Sequence, residues 1–557
     1  MSEAPRTRSA SVLVAAGILI SRISGVVRES VFGAFFGVGA VADALGVATR
    51  VPNVLQMLLG EGTLSASFIP VYSAELDRDE EEAGRIAGAV AALLALTAAS
   101  IVVVSIIAAE PIAWVMAYGF RDEANFDLAV TLLRIIFPAA GLLVLSAWCL
   151  GILNSHRQFF LSYVAPVLWN IAQIGAVVGA LVFFGVGDVD LDARALTDPT
   201  ANVDALGDLA QVAAWGFFAG AALQFLVQVP RVRQLARGLR FRLDLGREGV
   251  REVIRRFSGA VLGRGVVQIS ALIDTFLAGL LVTGAVTALV KAQVLYILPI
   301  SLFAISVAAA ELPELSRLTD TGEIRDRAQD GFRRILFFVS FTALAYLLLG
   351  DKIVGTLYER RFFTADDTLL VWFAVGAYAL GLIPSAASRL TQNTLWSQGD
   401  TSGPARIAIV RVVISVVIAV AVMWFFDDIT TADVSDALPT LDDDTGVKDD
   451  LRLGAMGITL GSALAAWIEA ILLWRLARTA VPGVSPLRPL RQLVPALGAA
   501  AAVALVFRFL TDDVWPPLAM VLSVGAAGVA YLLAARANGV REVDLVLIGP
   551  LRRFRQG

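Results

Sequence analysis

Between residues 21 and 72 the chain reads SRISGVVRESVFGAFFGVGAVADALGVATRVPNVLQMLLGEGTLSASFIPVY, and its apolar runs carry Arg22, Arg28, Glu29, Asp43, Arg50 and Glu61. A charged side chain at the centre of a bilayer costs at least ~2.5–3.5 kcal/mol even on the lenient insertion scale. So many charges in one helical hairpin call for a water-filled cavity around them rather than lipid. Guanidinium forks match phosphate oxygens in pairs, so an arginine-lined cavity suits an anionic, phosphate-like group. The competing reading pairs these arginines with Glu29, Asp43 and Glu61 and leaves them only to join helices. Interhelical hydrogen bonds in membranes average only ~0.6 kcal/mol, which seldom justifies so many charges.

The spacing places these groups. Arg22 and Arg28 are separated by about 600° of helical rotation, so they stand roughly 120° apart and can both border a broad cavity. Asp43 and Arg50 fall two turns apart on one face. Pro52, beside Asn53, removes a backbone donor and is expected to bend its helix there. Later in the chain Arg264, Gln268 and Asp274 share one apolar run, Lys291 and Gln293 the next, which also contains Pro299, and Arg389 and Arg411 lie further on. Arg389, near Gln392 and Asn393, either faces a cavity or snorkels to the interface. Asp274 needs a partner, for which Arg411 or a bound cation would serve.

The elements that hold these groups must be membrane helices. Of 557 residues 57% are hydrophobic and the mean hydropathy is +0.74, well above a soluble domain. Apolar runs of helix-spanning length recur from end to end. We count about fourteen, near 10–35, 41–60, 84–109, 128–152, 160–186, 208–230, 254–281, 285–309, 331–349, 368–392, 404–426, 453–476, 491–510 and 516–536. The fold class expected is all-α. Arginines crowd the connection 231–256, the one after the eighth span and the C-terminal tail, whereas 187–207 and 427–452 are acidic. The positive-inside rule then puts both termini in the cytoplasm. The basic connection could contact anionic lipid head groups, although any cytoplasmic loop has this composition. A single cysteine, Cys149, and a single histidine, His156, leave no support for a metal site. No nucleotide-binding glycine loop or catalytic cluster stands out, so neither an enzyme nor a cofactor is expected. Nucleic acid is not an expected partner.

Pro52 with SFIPVYSAEL and Pro299 with AAELPELSRL form a weak internal repeat. Six spans per unit imply two lobes related by an axis along the membrane normal. The expected organisation is a first lobe over 1–230, a basic connection over 231–256, a second lobe over 257–480, and two further spans with a basic tail over 481–557.

At SRISGVVRESVFGAFFGVGAVADAL, RVPNVLQMLLGEGTLSASFIPVYSAEL, ILNSHRQFFLSYVAPVLWNI, QISALIDTFLAGLLVTGAV, LPISLFAISVAAAELPELSRL and QGDTSGPARIAIV the chain resembles the MurJ (MviN) lipid II flippase family of the multidrug/oligosaccharidyl-lipid/polysaccharide exporter superfamily. The resemblance implies two six-helix lobes, with the last two spans forming a groove for an undecaprenyl tail. It implies that Arg22, Arg28 and Arg50 engage a pyrophosphate, with Asp43 and Glu61 at matching acidic positions and Arg389 at a matching basic one. Glu29, Pro52, Asn53, Pro299, Asp274 and Arg411 are expected to be structural or gating residues. The implied activity is flipping of a lipid-linked peptidoglycan precursor in the bacterial inner membrane. The expected partners are that anionic glycolipid, membrane lipids and cell-wall synthesis proteins.

The chain departs from the family at Gln56 and at Val294 in AQVLYILP, where arginine is common. Lys291 and Arg264 stand nearby as replacement cations, and an Asp274–Arg411 pair is expected in place of a sodium site. Alternatives are a flippase for another lipid-linked oligosaccharide, a cation-coupled drug exporter, and a membrane scaffold that transports nothing.

Overall fold

The computed structural model describes residues 4–120, 124–183, 203–431, 433–434, 451–511 and 514–547. The acidic connections lie largely outside these, as does the end of the basic tail. The described residues are helical, with one isolated β-bridge between Thr430 and Arg452. They divide into two compact units, Met1–Thr287 and Ala288–Gly557.

The first unit contains α1 (Ala4–Phe36), α2 (Ala40–Leu59), α3 (Glu61–Leu76), α4 (Glu80–Ile107), α5 (Ala109–Met116), α6 (Ala124–Ser155), α7 (Phe159–Phe183), α8 (Val203–Leu235), α9 (Glu248–Ala278) and the start of α10 (Ala285–Pro299). Helix α6 is its centre, packed by α2, α3, α4, α5, α7 and α8. Leu132, Leu133, Ile136 and Phe137 of α6 are fully buried in one cluster, and Ile152 in a second with Leu64, Phe68 and Tyr72 of α3. Asp79 starts α4 by accepting the backbone N–H groups of Glu81 and Glu82 at 2.9 and 3.1 Å, which satisfies donors that a helix start leaves open.

The second unit continues from α10 through a π-helical turn, Ile300–Ile305, which follows directly on Pro299. Its helices are α11 (Ser306–Leu315), α12 (Thr321–Tyr358), α13 (Ala365–Leu380), α14 (Leu382–Ser397), α15 (Ser402–Asp427), α16 (Gly454–Ala480), α17 (Leu490–Leu510), α18 (Pro516–Ala537) and the short α19 (Val543–Leu547). Helices α15 and α16 pack along their length. A Cβ on Gly457 would come within 2.5 Å of the Met423 backbone, and one on Gly461 within 2.8 Å of the Ala419 backbone. Small residues are what allow two membrane helices to approach so closely.

Helix α12 has non-helical dihedrals at Leu349, which release carbonyls from the helical ladder. Side chains take them up. Arg508 of α17 donates to the Leu348 carbonyl at 2.8 Å, and Trp372 of α13 to that of Tyr346 at 3.1 Å. Arg508 also pairs with Asp351 at 3.0 Å and lies over the Trp372 ring. Tyr531 of α18 donates to the Phe337 carbonyl at 2.7 Å, so α17 is fastened to α12 at its kink and α18 about three turns before it.

Eleven helices among the described residues are long and apolar enough to cross a membrane. The bent pair α13–α14, at 43°, can make a twelfth. The described residues thus account for up to twelve of the fourteen spans expected. The second span is longer than the 41–60 read from hydropathy. It runs over Ala40–Leu76 as α2 and α3, passes through Pro52 and breaks at Gly60, where the Gly60 N–H bonds back to the Gln56 carbonyl.

Candidate functional site

Arginines enter the first unit from two helices. Arg22 is exposed on α1. Two turns on, Arg28 is half-buried. It pairs with Glu29 at 2.5 Å, donates to Asn170 Oδ1 of α7 at 3.2 Å, and stacks over Trp169, 5.1 Å from the ring centroid. Asn170 in turn donates to Ser24 at 2.8 Å. These contacts orient the Arg28 plane, and the Glu29 carboxylate pairs with its charge. The sequence suggested Glu29 as a structural group but gave no sign of Asn170 or Trp169, which lie more than 140 residues downstream.

Arg50 of α2 reaches α9, where Nε and Nη2 donate to the Ala271 carbonyl at 3.3 and 3.2 Å. That carbonyl also accepts from Thr275. Arg50 therefore fastens α2 to α9 as well as carrying a positive charge. Asn53 is half-buried and Pro52 buried, both on α2.

Asp43, expected beside these cations, is 1% exposed. Its Oδ2 accepts the Gly284 N–H at 2.6 Å, and its Oδ1 accepts the N–H and hydroxyl of Thr287 at 2.8 and 2.5 Å. Gly284, with a φ of +100°, stands immediately before α10, and Thr287 lies in its first turn. The carboxylate is thus a cap supplied from another helix, satisfying groups that α10 cannot satisfy itself and sitting at the positive end of its dipole. Burying a carboxylate is tolerated because every lone pair used meets a donor. The side chains of Glu61 and Arg264 lie outside the described residues, and Asp274 is buried on α9.

The second unit has its own polar cluster inside a helical bundle. Glu469 of α16 is 2% exposed. It accepts from Arg411 of α15 at 2.9 Å and from Gln392 of α14 at 3.1 Å. Arg389 lies within electrostatic reach of Arg411, Glu469 and Tyr296. Tyr296 stacks on Tyr378 at 4.5 Å and bonds Ser385 at 2.7 Å. The sequence offered Arg411 or a bound cation as the partner of Asp274 and did not single out Glu469. Its signal was a lone acid in the apolar run GSALAAWIEAILLW.

Lys291, offered as a replacement cation, is 4% exposed. Its ammonium sits 4.7 Å from the Tyr358 ring centroid and 5.6 Å from that of Phe363, a cation–π environment within the protein. Val294, the position noted as unusual, is half-buried one turn on. Among the described residues no group of His, Cys, Asp and Glu side chains could hold a metal.

Long apolar helices carrying half-buried arginines with buried carboxylates and amides define a polytopic membrane protein of the transporter kind. The family model for the lipid II flippase MurJ matches residues 32–432, and the chain belongs to that family. Among its relatives, a probable lipid II flippase MurJ of Rhizobium tropici is 29% identical, over 83% of this chain and 79% of the relative. One of Bdellovibrio bacteriovorus is 27% identical over 96% and 95%. Among solved structures, a lipid II flippase MurJ in an inward closed conformation aligns with a TM-score of 0.71 at 21% identity, covering 97% of this chain and 99% of that one. An inward-facing multidrug resistance transporter of the MATE family aligns at 0.60 and 15% identity, over 85% and 98%. The two structural likenesses speak for the fold.

Proposed function

We propose that this protein flips an undecaprenyl-pyrophosphate-linked peptidoglycan precursor from the inner to the outer leaflet of the bacterial cytoplasmic membrane. The observation that carries this reading, beside family membership, is the arginine set of the first unit. Arg22 is exposed, and Arg28 is held in a fixed plane by Glu29, Asn170 and Trp169. Oriented guanidinium groups on membrane helices are what a pyrophosphate needs when it leaves water. The lipid tail stays in the bilayer, so only the head group has to be accommodated. Movement by alternating access exposes it on the other side, with the two six-helix lobes over 1–230 and 257–480 as the moving parts and both termini in the cytoplasm. An anionic head group crossing the membrane feels ~2.3 kcal/mol per charge per 100 mV, so the membrane potential is a source of drive. No catalytic step is assigned.

The test is outer-leaflet exposure of lipid II in bacteria depleted of their own flippase and expressing this chain, with Arg22→Ala and Arg28→Ala beside wild type. Exposure restored by wild type and lost in both variants supports the reading. A well-expressed, membrane-inserted wild type that restores nothing overturns it. One observation favours a second reading: Val294 stands where a cation is common in the family, and the nearby Lys291 is enclosed by Tyr358 and Phe363. A different lipid-linked oligosaccharide would then be the substrate, and Val294→Arg would shift activity toward lipid II.

A further inference from the structure

At the arginine-rich end of the first unit, α8 runs into the segment RGLRFRLDLGR before α9 begins. Charged and apolar residues alternate through it, and the structure separates them. Arg240, Arg242 and Asp244 line one cavity of about 290 Å³ together with Arg85 of α4 and Arg247. Leu239 and Phe241 line a second, of about 160 Å³, with Trp148, Phe225, Leu226 and Val229. One short stretch of chain thus walls a basic cavity and an apolar one side by side.

The segment is built into place. A Cβ on Gly84 would stand 1.8 Å from the Arg237 carbonyl, and one on Gly88, a turn further along α4, 2.1 Å from that of Arg240. The backbone of 237–240 therefore lies directly on α4, at a distance only glycine permits. Arg247 pairs with Glu82 and with Asp244, the latter at 2.9 Å, and Arg237 pairs with Glu80 at 3.2 Å. Arg85 pairs with Glu81 and Glu82 at 2.9 and 3.3 Å. Among the described residues Arg240 and Arg242 make neither an ion pair nor a side-chain hydrogen bond. The cavity's one lining carboxylate, Asp244, is thus engaged by Arg247, and Arg85 is paired with Glu81 and Glu82, while the two remaining guanidinium groups are open. On the other side, Phe241, Leu243 and Leu245 are 62%, 53% and 53% exposed. Leu226, which helps wall the apolar cavity, is itself 59% exposed on α8.

We propose that this is a binding site for an anionic glycerophospholipid of the surrounding bilayer. The phosphate sits between Arg240 and Arg242, and the upper acyl chain lies in the cavity formed by Trp148, Phe225, Leu226, Val229 and Phe241. Charge complementarity selects the phosphate, and the adjoining apolar cavity selects a phosphate that carries a tail. Exposed Phe and Leu side chains alternating with Arg match the boundary between acyl chains and head groups. The site is independent of the transport reading, because it is tested by binding alone.

The experiment uses the full-length protein in phosphatidylcholine nanodiscs doped with a phosphatidylglycerol that carries a photoactivatable acyl chain. Crosslinks within 223–241 are quantified by mass spectrometry against a phosphatidylcholine bearing the same chain. Wild type should favour phosphatidylglycerol by about tenfold, the scale of one to two basic contacts at an anionic head group. The surface variant Arg240→Gln/Arg242→Gln should fall to the phosphatidylcholine level, and Phe241→Ser should lower crosslinking by both lipids. Equal yields for the two lipids, or undiminished preference in the double variant, would overturn the proposal. So would displacement of the lipid by millimolar inorganic phosphate, which would make this a free-anion site.

Discussion

The Asp43 carboxylate and Thr287 are joined by two hydrogen bonds, one from the threonine N–H at 2.8 Å and one from its hydroxyl at 2.5 Å. They are 244 residues apart in sequence. A buried acid on α2 completes the first turn of α10, so each solves a problem the other would face alone. The carboxylate gains donors that replace water, and the helix start gains an acceptor.

Asp43→Ala should therefore destabilise the protein by about 1–3 kcal/mol, the cost of leaving buried donors without a partner. Asp43→Asn keeps one acceptor oxygen and should cost less. Thermal unfolding in detergent, followed by the loss of monodisperse protein, ranks the two. Equal midpoints for wild type and Asp43→Ala would refute the cap.

The Arg411–Glu469 pair makes a different demand. Removing one partner leaves a buried charge uncompensated, at a cost of about 3–5 kcal/mol where the site is fully enclosed. Arg411 is 27% exposed, which reduces the penalty for Glu469→Gln relative to Arg411→Ala. The double variant Arg411→Gln/Glu469→Gln should be more stable than Arg411→Ala alone, and a double-mutant cycle measures the coupling.

Arg508 closes the kink of α12. Arg508→Ala opens the Leu348 carbonyl and strands Asp351, whose side chain is only 10% exposed. A loss of about 2–4 kcal/mol is expected. Because the same side chain ties α17 to α12, limited proteolysis should cut the α16–α17 connection sooner than in wild type.

His156 lies just after α6, where its Nε2 meets the Tyr72 hydroxyl at 3.0 Å. Burial chiefly, with Arg231 adding to it, lowers its pKa, and Glu80 opposes the shift only in part. The folded protein thus favours neutral imidazole, while the unfolded chain binds a proton near the ordinary histidine pKa of about 6.5. Stability from this group is complete above that pH. It declines as pH falls toward the lowered folded pKa, below which no further loss comes from His156. Melting temperatures across this window should slope less in His156→Gln than in wild type.

Much of the architecture was legible because hydropathy is a local property. A run of apolar residues must span the membrane whatever its neighbours do, so most spans, the all-α class and the loops' charge pattern followed from the residues themselves. The second span shows where this stops. Pro52 was read as the site of a bend, and α2 continues through it to Gly60, a break that hydropathy alone did not signal. The family resemblance was carried by six stretches between residues 21 and 410, and the family match covers 32–432.

The sequence by itself determined that charges sit inside apolar membrane helices, and hence that each needs a polar partner there. What it could not determine was the assignment of partners. Arg28 meets Asn170 and Trp169, Asp43 caps α10, Arg50 holds a carbonyl of α9, and Arg411 takes Glu469. Each is a contact between different helices, and only the Arg411–Glu469 pair joins consecutive ones. Whether a charge stays open to a ligand or is absorbed by a neighbouring helix depends on distances of a few ångströms, and only the packed tertiary structure sets those.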